Sequence, residues 1–146
     1  MTLSHCWGSA RYLQLTSRNL ATLKHQIPIS ALPLTFKQAF EVTRRLGIRY
    51  IWIDSLCISQ DFKEDWLHEA ALMHNVYSHS YCMIAAAASA DSTRGLFRSR
   101  KPHFLYPCEI EIPWFGKTKY QLVDFGFWAL QIQDQHLHRR GLVVQE

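Results

Sequence analysis

The chain has 146 residues, the size of one domain, with 48% hydrophobic, 13% aromatic and 19% charged residues. That balance fills a packed core and excludes a disordered tail. The net charge of +4, from 16 Lys and Arg against 12 Asp and Glu, is mildly basic, and its carriers are scattered: Arg44, Arg45 and Arg49, then Arg94, Arg98, Arg100 and Lys101, then Arg139 and Arg140. Scatter of this kind disfavours a nucleic-acid partner and fits a surface with some attraction for small anionic molecules.

Cys6, Cys57, Cys82 and Cys108 form no C-x-x-C pair, and Cys57 and Cys82 sit in apolar runs where a thiol acts as a small hydrophobe. There is no N-x-S/T sequon and no apolar leader, and the longest apolar run, "YCMIAAAASA", is too short to span a bilayer. The expected location is the reducing cytoplasm, with no membrane segment. The chain reads as one domain over 1–146. It opens abruptly on "TLSHCWGS" and stops at "GLVVQE" without a polar end, so the expectation is a domain truncated at both ends.

In chain order, "LSHCWG" (Leu3 to Gly8) is a short segment closed by a turn glycine, read as the end of a strand. Phe36, Ala39, Phe40, Thr43 and Leu46 recur at helical spacing. Thr35 and Gln38 form a capping-box pattern before them and Gly47 closes them, which predicts a helix over 36–46. "IRYIWIDSLCI" (Ile48 to Ile58) is apolar on both sides and predicts a central strand of a parallel sheet, with Asp54 near its carboxyl end, where ligands bind in open α/β sheets. A second helix follows over "DFKEDWLHEAALMHNVY", with Asp61 as N-cap and Glu64 three residues on. "SYCMIAAAASA" reads as a second buried strand and a small-residue loop, "STRGLFRSR" as a basic connection, and "CEIEIPW" with "KTKYQLVDF" as a hairpin around Phe115, Gly116 and Lys117. The last stretch, "WALQIQDQHLHRRGLVVQE", is open between assignments. Helix and strand alternation predicts an α/β fold with a parallel sheet and a small antiparallel hairpin toward the C-terminus.

The second helix carries the functional question. At 100° per residue, Phe62, Trp66, Ala70, Met73, Val76 and Tyr77 share one apolar arc, and Glu69 falls inside it. A carboxylate against aromatic surface loses hydration. Pairing with an arginine is the ordinary outcome. The position of this helix after the presumed central strand points Glu69 toward Asp54 and the "SHCWG" turn instead. A glutamate beside the ring of Trp66 suits work on a sugar as acid, base or stabiliser of an oxocarbenium-like state.

Other signals fail. "HEAAL" lacks the second histidine of a zincin helix, His68 and His74 do not share a helix face, and His136 with His138, on one face of a strand, has no third ligand, so no metal is expected. No P-loop, dinucleotide fingerprint or G-x-S-x-G elbow is present. The apolar flanks of Cys57 favour an inert packed thiol.

"LSHCWG", "LPLTFKQAFEVTRRLGIRYIWIDSLCISQD", "DWLHEAALMHNVYSHSYCMIAAAAS", "GLFRSR" and "RRGLVVQE" resemble the successive blocks of the fungal heterokaryon-incompatibility (HET) domain. The last block departs, with Leu142 where the family usually has an aromatic. The resemblance implies a role in fungal non-self recognition and programmed cell death, with partners that are further copies of the domain or signalling domains. The family is also similar to TIR domains, which implies a flavodoxin-like parallel sheet flanked by helices. It further implies cleavage of NAD as substrate, without a cofactor, by a glutamate on the helix after a central strand. In TIR domains a tryptophan precedes that glutamate by four residues; here Trp66 precedes Glu69 by three, and both spacings keep the pair on one face. The implied site is Glu69 as catalytic carboxylate, Trp66 as a stacking ring, and Ser4, Cys6, Trp7, Gly8 and Asp54 lining the cleft. The alternative is a non-catalytic death-signalling module working by self-association or partner binding.

Overall fold

The computed structural model describes residues 1–99, 108–112, 119–122, 126 and 134–139. Strand β1 (Thr2–Ser4) lies parallel to β2 (Met83–Ala85), with Thr2 opposite Met83 and Ser4 opposite Ala85. On its other side Thr2 forms a parallel bridge with Trp52. Leu3 N–H donates to the Trp52 carbonyl at 3.0 Å and Trp52 N–H to the Met1 carbonyl at 2.8 Å. β1 is therefore the middle of this small sheet. The expectation that Ile48 to Ile58 is a central strand is corrected: only the bridge at Trp52 is made, because the chain turns at Asp54 into the four-residue helix α3 (Asp54–Cys57). Before these come the short helices α1 (Leu20–His25) and α2 (Leu34–Arg45), and after them α4 (Lys63–Ser78).

Successive side chains of a strand point to opposite faces. Leu3 turns to one side and joins Leu32, Phe36, Ala39 and Ile53 in the buried core, so α2 covers that face through Phe36 and Ala39. Thr2 turns to the other, where its hydroxyl lies 3.3 Å from that of Ser80, just past α4. The last turn of α4 closes this second side: Tyr77 is buried, packs edge-on against Trp52 at 5.7 Å, and donates to the Leu3 carbonyl at 3.4 Å. Helices thus flank both faces of a parallel sheet, and the molecule is α/β.

The helix over 36–46 appears as α2, closed by Gly47 at φ +70° as expected of a C′ glycine. Its capping box does not form. Pro33 occupies the N-cap, and Thr35 and Gln38 reach a distant loop instead. Gly95 N–H donates to Thr35 Oγ1 at 3.1 Å, while the Leu96 and Phe97 amides both donate to Gln38 Oε1. Asp61 likewise does not cap α4. Its carboxylate accepts from the Ser17 amide and hydroxyl at 2.8 and 2.7 Å, tying the 9–19 segment to the start of the helix.

The hairpin is present as β3 (Cys108–Glu111) antiparallel to β4 (Lys119–Leu122), with Cys108 opposite Leu122. Its turn at 115–117 and the last block with Leu142 lie outside the described residues. His136 and His138 do not share a strand: Leu137–Arg139 form a 3-10 turn. No helix among the described residues is long and apolar enough to cross a membrane.

Candidate functional site

The carboxyl end of β1 runs into His5, Cys6, Trp7 and Gly8, and the end of the Trp52 segment delivers Asp54 beside them. Trp7 Nε1 donates to Asp54 Oδ2 at 2.8 Å, and the Ser55 amide donates to Oδ1 at 2.6 Å. Both oxygens of Asp54 are thus directed, and the indole of Trp7 is fixed at the rim. His5 is 2% exposed and stacks on Trp7 at 6.5 Å and 14°, with its Nδ1 3.9 Å from Asp54 Oδ1. Its Nε2 lies 3.5 Å from the hydroxyl of Tyr12, whose ring meets Trp7 and Phe36 edge-on. Burial is the main cause that pushes the Tyr12 phenol up, with the negative charge of Asp54 adding to it. Tyr12 therefore stays neutral at physiological pH.

Gly8 needs its freedom. It sits at φ +65°, and a Cβ there would stand 2.3 Å from the Cβ of Asp91. The close approach lets the 90–91 backbone lie directly against the turn. Cys6 is buried and its carbonyl accepts from Ser92 Oγ at 3.5 Å, while the Ser4 carbonyl accepts from Ala86 N–H at 2.9 Å. Ser4, Cys6, Trp7, Gly8 and Asp54 therefore occupy one neighbourhood, the carboxyl edge of the sheet. Ser4 and Cys6 are inside it, and the half-buried Trp7 and exposed Gly8 form its outer surface.

Glu69 lies on α4, half-buried, and among the described residues it makes no hydrogen bond and no ion pair. The dry arc expected of α4 is graded. Tyr77 is buried and Ala70, Met73 and Val76 are half-buried, yet Phe62 and Trp66 at the other end are 52% and 49% exposed. Glu69 and Trp66 thus stand where the covered part of the helix gives way to the open part. Cys57, the last residue of α3, connects the two groups. Desolvation pushes its thiol up, and the negative charges of Asp54 and Glu69 push the same way. Among the described residues no hydrogen bond or ion pair joins Glu69 or Trp66 to the Trp7–Asp54 rim. Cys57 is free and its residue surface is partly open, yet its sulfur is desolvated, and the raised pKa keeps it a protonated thiol and a poor nucleophile, in line with the inert thiol expected.

His5 and Tyr12 were not among the residues singled out from the sequence. The signal for His5 was there: alternation through Leu3, His5 and Trp7 puts all three on one side of an extended chain. Nothing local marks Tyr12.

An α/β domain with a carboxylate and aromatic cluster at the carboxyl edge of its parallel strands is the class defined so far. The sequence profile of the family described as Heterokaryon incompatibility protein (HET) matches residues 1–146, the whole chain. The chain belongs to this family and is a heterokaryon-incompatibility domain. No curated protein and no solved structure matches it.

Proposed function

We propose that this domain acts in fungal non-self recognition and programmed cell death by cleaving NAD between nicotinamide and ribose. The C1′–N bond breaks with its electron pair leaving on nicotinamide, the Glu69 carboxylate stabilises the cationic ribose, and water adds at C1′ as its proton passes to Glu69. Trp66 offers a flat face to a ring of the nucleotide. Asp54 holds Trp7 in place, and Ser4, Cys6 and Gly8 shape the rim beside it. The products are nicotinamide and ADP-ribose, and the reaction is a cytoplasmic one in which NAD is substrate.

The observation that carries this reading is the state of Glu69. It is half-buried without a cationic partner among the described residues, and its charge reaches the same thiol as that of Asp54. A half-buried glutamate can stay unpaired at little cost, which leaves its carboxylate available to a ligand. The test is chromatographic measurement of nicotinamide released from NAD by the assembled domain. Wild type releases it, and Glu69→Gln lowers the rate by about a hundredfold or more. Equal release from both proteins removes the enzymatic reading.

A second reading, a non-catalytic module that works by self-association or partner binding, draws on the exposed side chains of Phe62, Trp66 and Leu67 at the start of α4. It expects Glu69→Gln to lose thermal stability in step with toxicity, so an inactive and fully stable variant counts against it.

A further inference from the structure

We propose that a second site, on the loop after β2, binds the diphosphate group of a small free ligand. A cavity of about 430 Å³ is lined by Ala88, Ala90, Arg94, Arg98 and His136. That volume lies in the range of small-molecule sites. Its lining is chemically one-sided. Two guanidinium groups, which carry only donors, and an imidazole face a space with no carboxylate among the described residues of its wall. Arginine's planar fork matches phosphate oxygens in pairs.

One of the cations is fixed before any ligand arrives. Arg98 donates through Nη1 to the carbonyls of Arg94 and Phe97 at 2.9 and 3.1 Å, and through Nη2 to Ser89 Oγ at 2.7 Å. Its side-chain ordering is complete in the folded protein, which lowers the entropic cost of binding. The other donates no hydrogen bond among the described residues, although, after the Thr93 hydroxyl and amide, the Arg94 charge helps hold the Asp91 carboxyl below the ordinary range. The nearby acid, Asp91, is turned into its own loop, its Oδ1 accepting from the Thr93 amide at 2.8 Å and the Thr93 hydroxyl at 2.6 Å.

The frame around these groups is held at both ends. Thr35 and Gln38 of α2 bind the amides of Gly95, Leu96 and Phe97. On the opposite wall, Leu137 N–H donates to the Ala87 carbonyl at 3.3 Å, and this seats His136 against the loop. Ala90 lines the cavity and, with Asp91, forms the backbone on which Gly8 rests. The cavity therefore lies at the same carboxyl edge of the sheet as Trp7 and Asp54, one thickness of chain away, where α/β sheets take their ligands. The inference stands without NAD cleavage, since it asks only for binding and involves neither Glu69 nor Trp66.

Isothermal titration at low salt with inorganic pyrophosphate, ADP, sulfate, and vesicles containing phosphorylated inositol lipids tests it. Pyrophosphate and ADP bind wild type with Kd below about 1 mM. Arg94→Gln weakens both by about tenfold or more while shifting the melting temperature little, because among the described residues the replaced guanidinium makes no hydrogen bond and only a solvent-screened interaction with Asp91. Arg98→Lys, which keeps the charge and loses the fork, weakens both as well. Failure of both free diphosphates to bind wild type overturns the proposal. So does unchanged binding by Arg94→Gln, sulfate binding as tight as pyrophosphate, or binding of the vesicles alone.

Discussion

Helices α2 and α4 look alike as sequence: each has an apolar arc, a polar pair suited to an N-terminal cap, and aromatic residues on the arc. In the fold they diverge. α2 buries Thr35, Phe36, Ala39 and Thr43, whereas the longer α4 buries only Tyr77. The polar residues of α2 hold the 95–97 loop 58 to 60 positions away in the chain, while Trp66 and Glu69 of α4 make no hydrogen bond with their side chains among the described residues. Under the proposed reading, stability rests mainly on the first helix and reactivity on the second. The first buries one whole face, while its Leu34, Arg44 and Arg45 stay exposed, and the second is open at its start, at Phe62 and Trp66.

That division is broken most directly at Phe36, which is fully buried between α2 and β1. Phe36→Ala should cost about 3–5 kcal/mol in urea unfolding, and a loss below about 1 kcal/mol would mean that α2 is not the anchor. Gly8→Ala comes next. A positive φ and the collision with Asp91 predict a loss of about 1–3 kcal/mol, with weakened packing of the 90–91 loop. Gln38→Ala removes the acceptor of two loop amides and should cost about 1–2 kcal/mol, with faster amide hydrogen exchange at Leu96 and Phe97.

Asp61 sharpens the comparison from the α4 side through pH. The Ser17 hydroxyl first, then the Ser17 amide, hold its carboxyl below the ordinary carboxylate range. Its folded pKa is thus below its unfolded one. The contribution is fully present above the unfolded value of about 3.9 and is lost as pH falls through the folded value. Asp61→Asn should be less stable than wild type near neutrality, and the gap should close on acidification, as read from urea midpoints at both conditions. At the lower end of the scale, Trp66→Ala replaces a ring that is half in solvent and should change stability by no more than about 0.5 kcal/mol while lowering nicotinamide release.

Periodic features were legible in the sequence because they depend on neighbours three or four residues away. The spacing of Phe36, Ala39 and Thr43 gave α2, Gly47 gave its end, and the apolar run at Met83 gave β2, although this strand, expected to be buried, leaves Met83 and Ala85 exposed. Asp54 does meet the "SHCWG" turn, through Trp7, whereas the expected approach of Glu69 to both is not seen as any hydrogen bond or ion pair among the described residues. What failed depended on partners far along the chain. Thr35 with Gln38, and Asp61 with Glu64, carry the local pattern of a capping box, but distant amides and a distant serine compete for the same oxygens. The centre of the sheet was misplaced for a similar reason. Ile48 to Ile58 is the more apolar stretch, but β1 has an extended neighbour on each side. The exposure of Phe62 and Trp66 was hidden because an arc on a helical wheel says which side faces inward and not how far along the helix the cover extends.

Turnover of NAD and thermal unfolding, measured on the same preparations of wild type and Glu69→Gln, put the account to its sharpest trial. A carboxylate with no hydrogen bond or ion pair among the described residues predicts an unchanged melting temperature together with loss of nicotinamide release. A variant that melts lower and loses activity in proportion, or one that turns over NAD as fast as wild type, would contradict it.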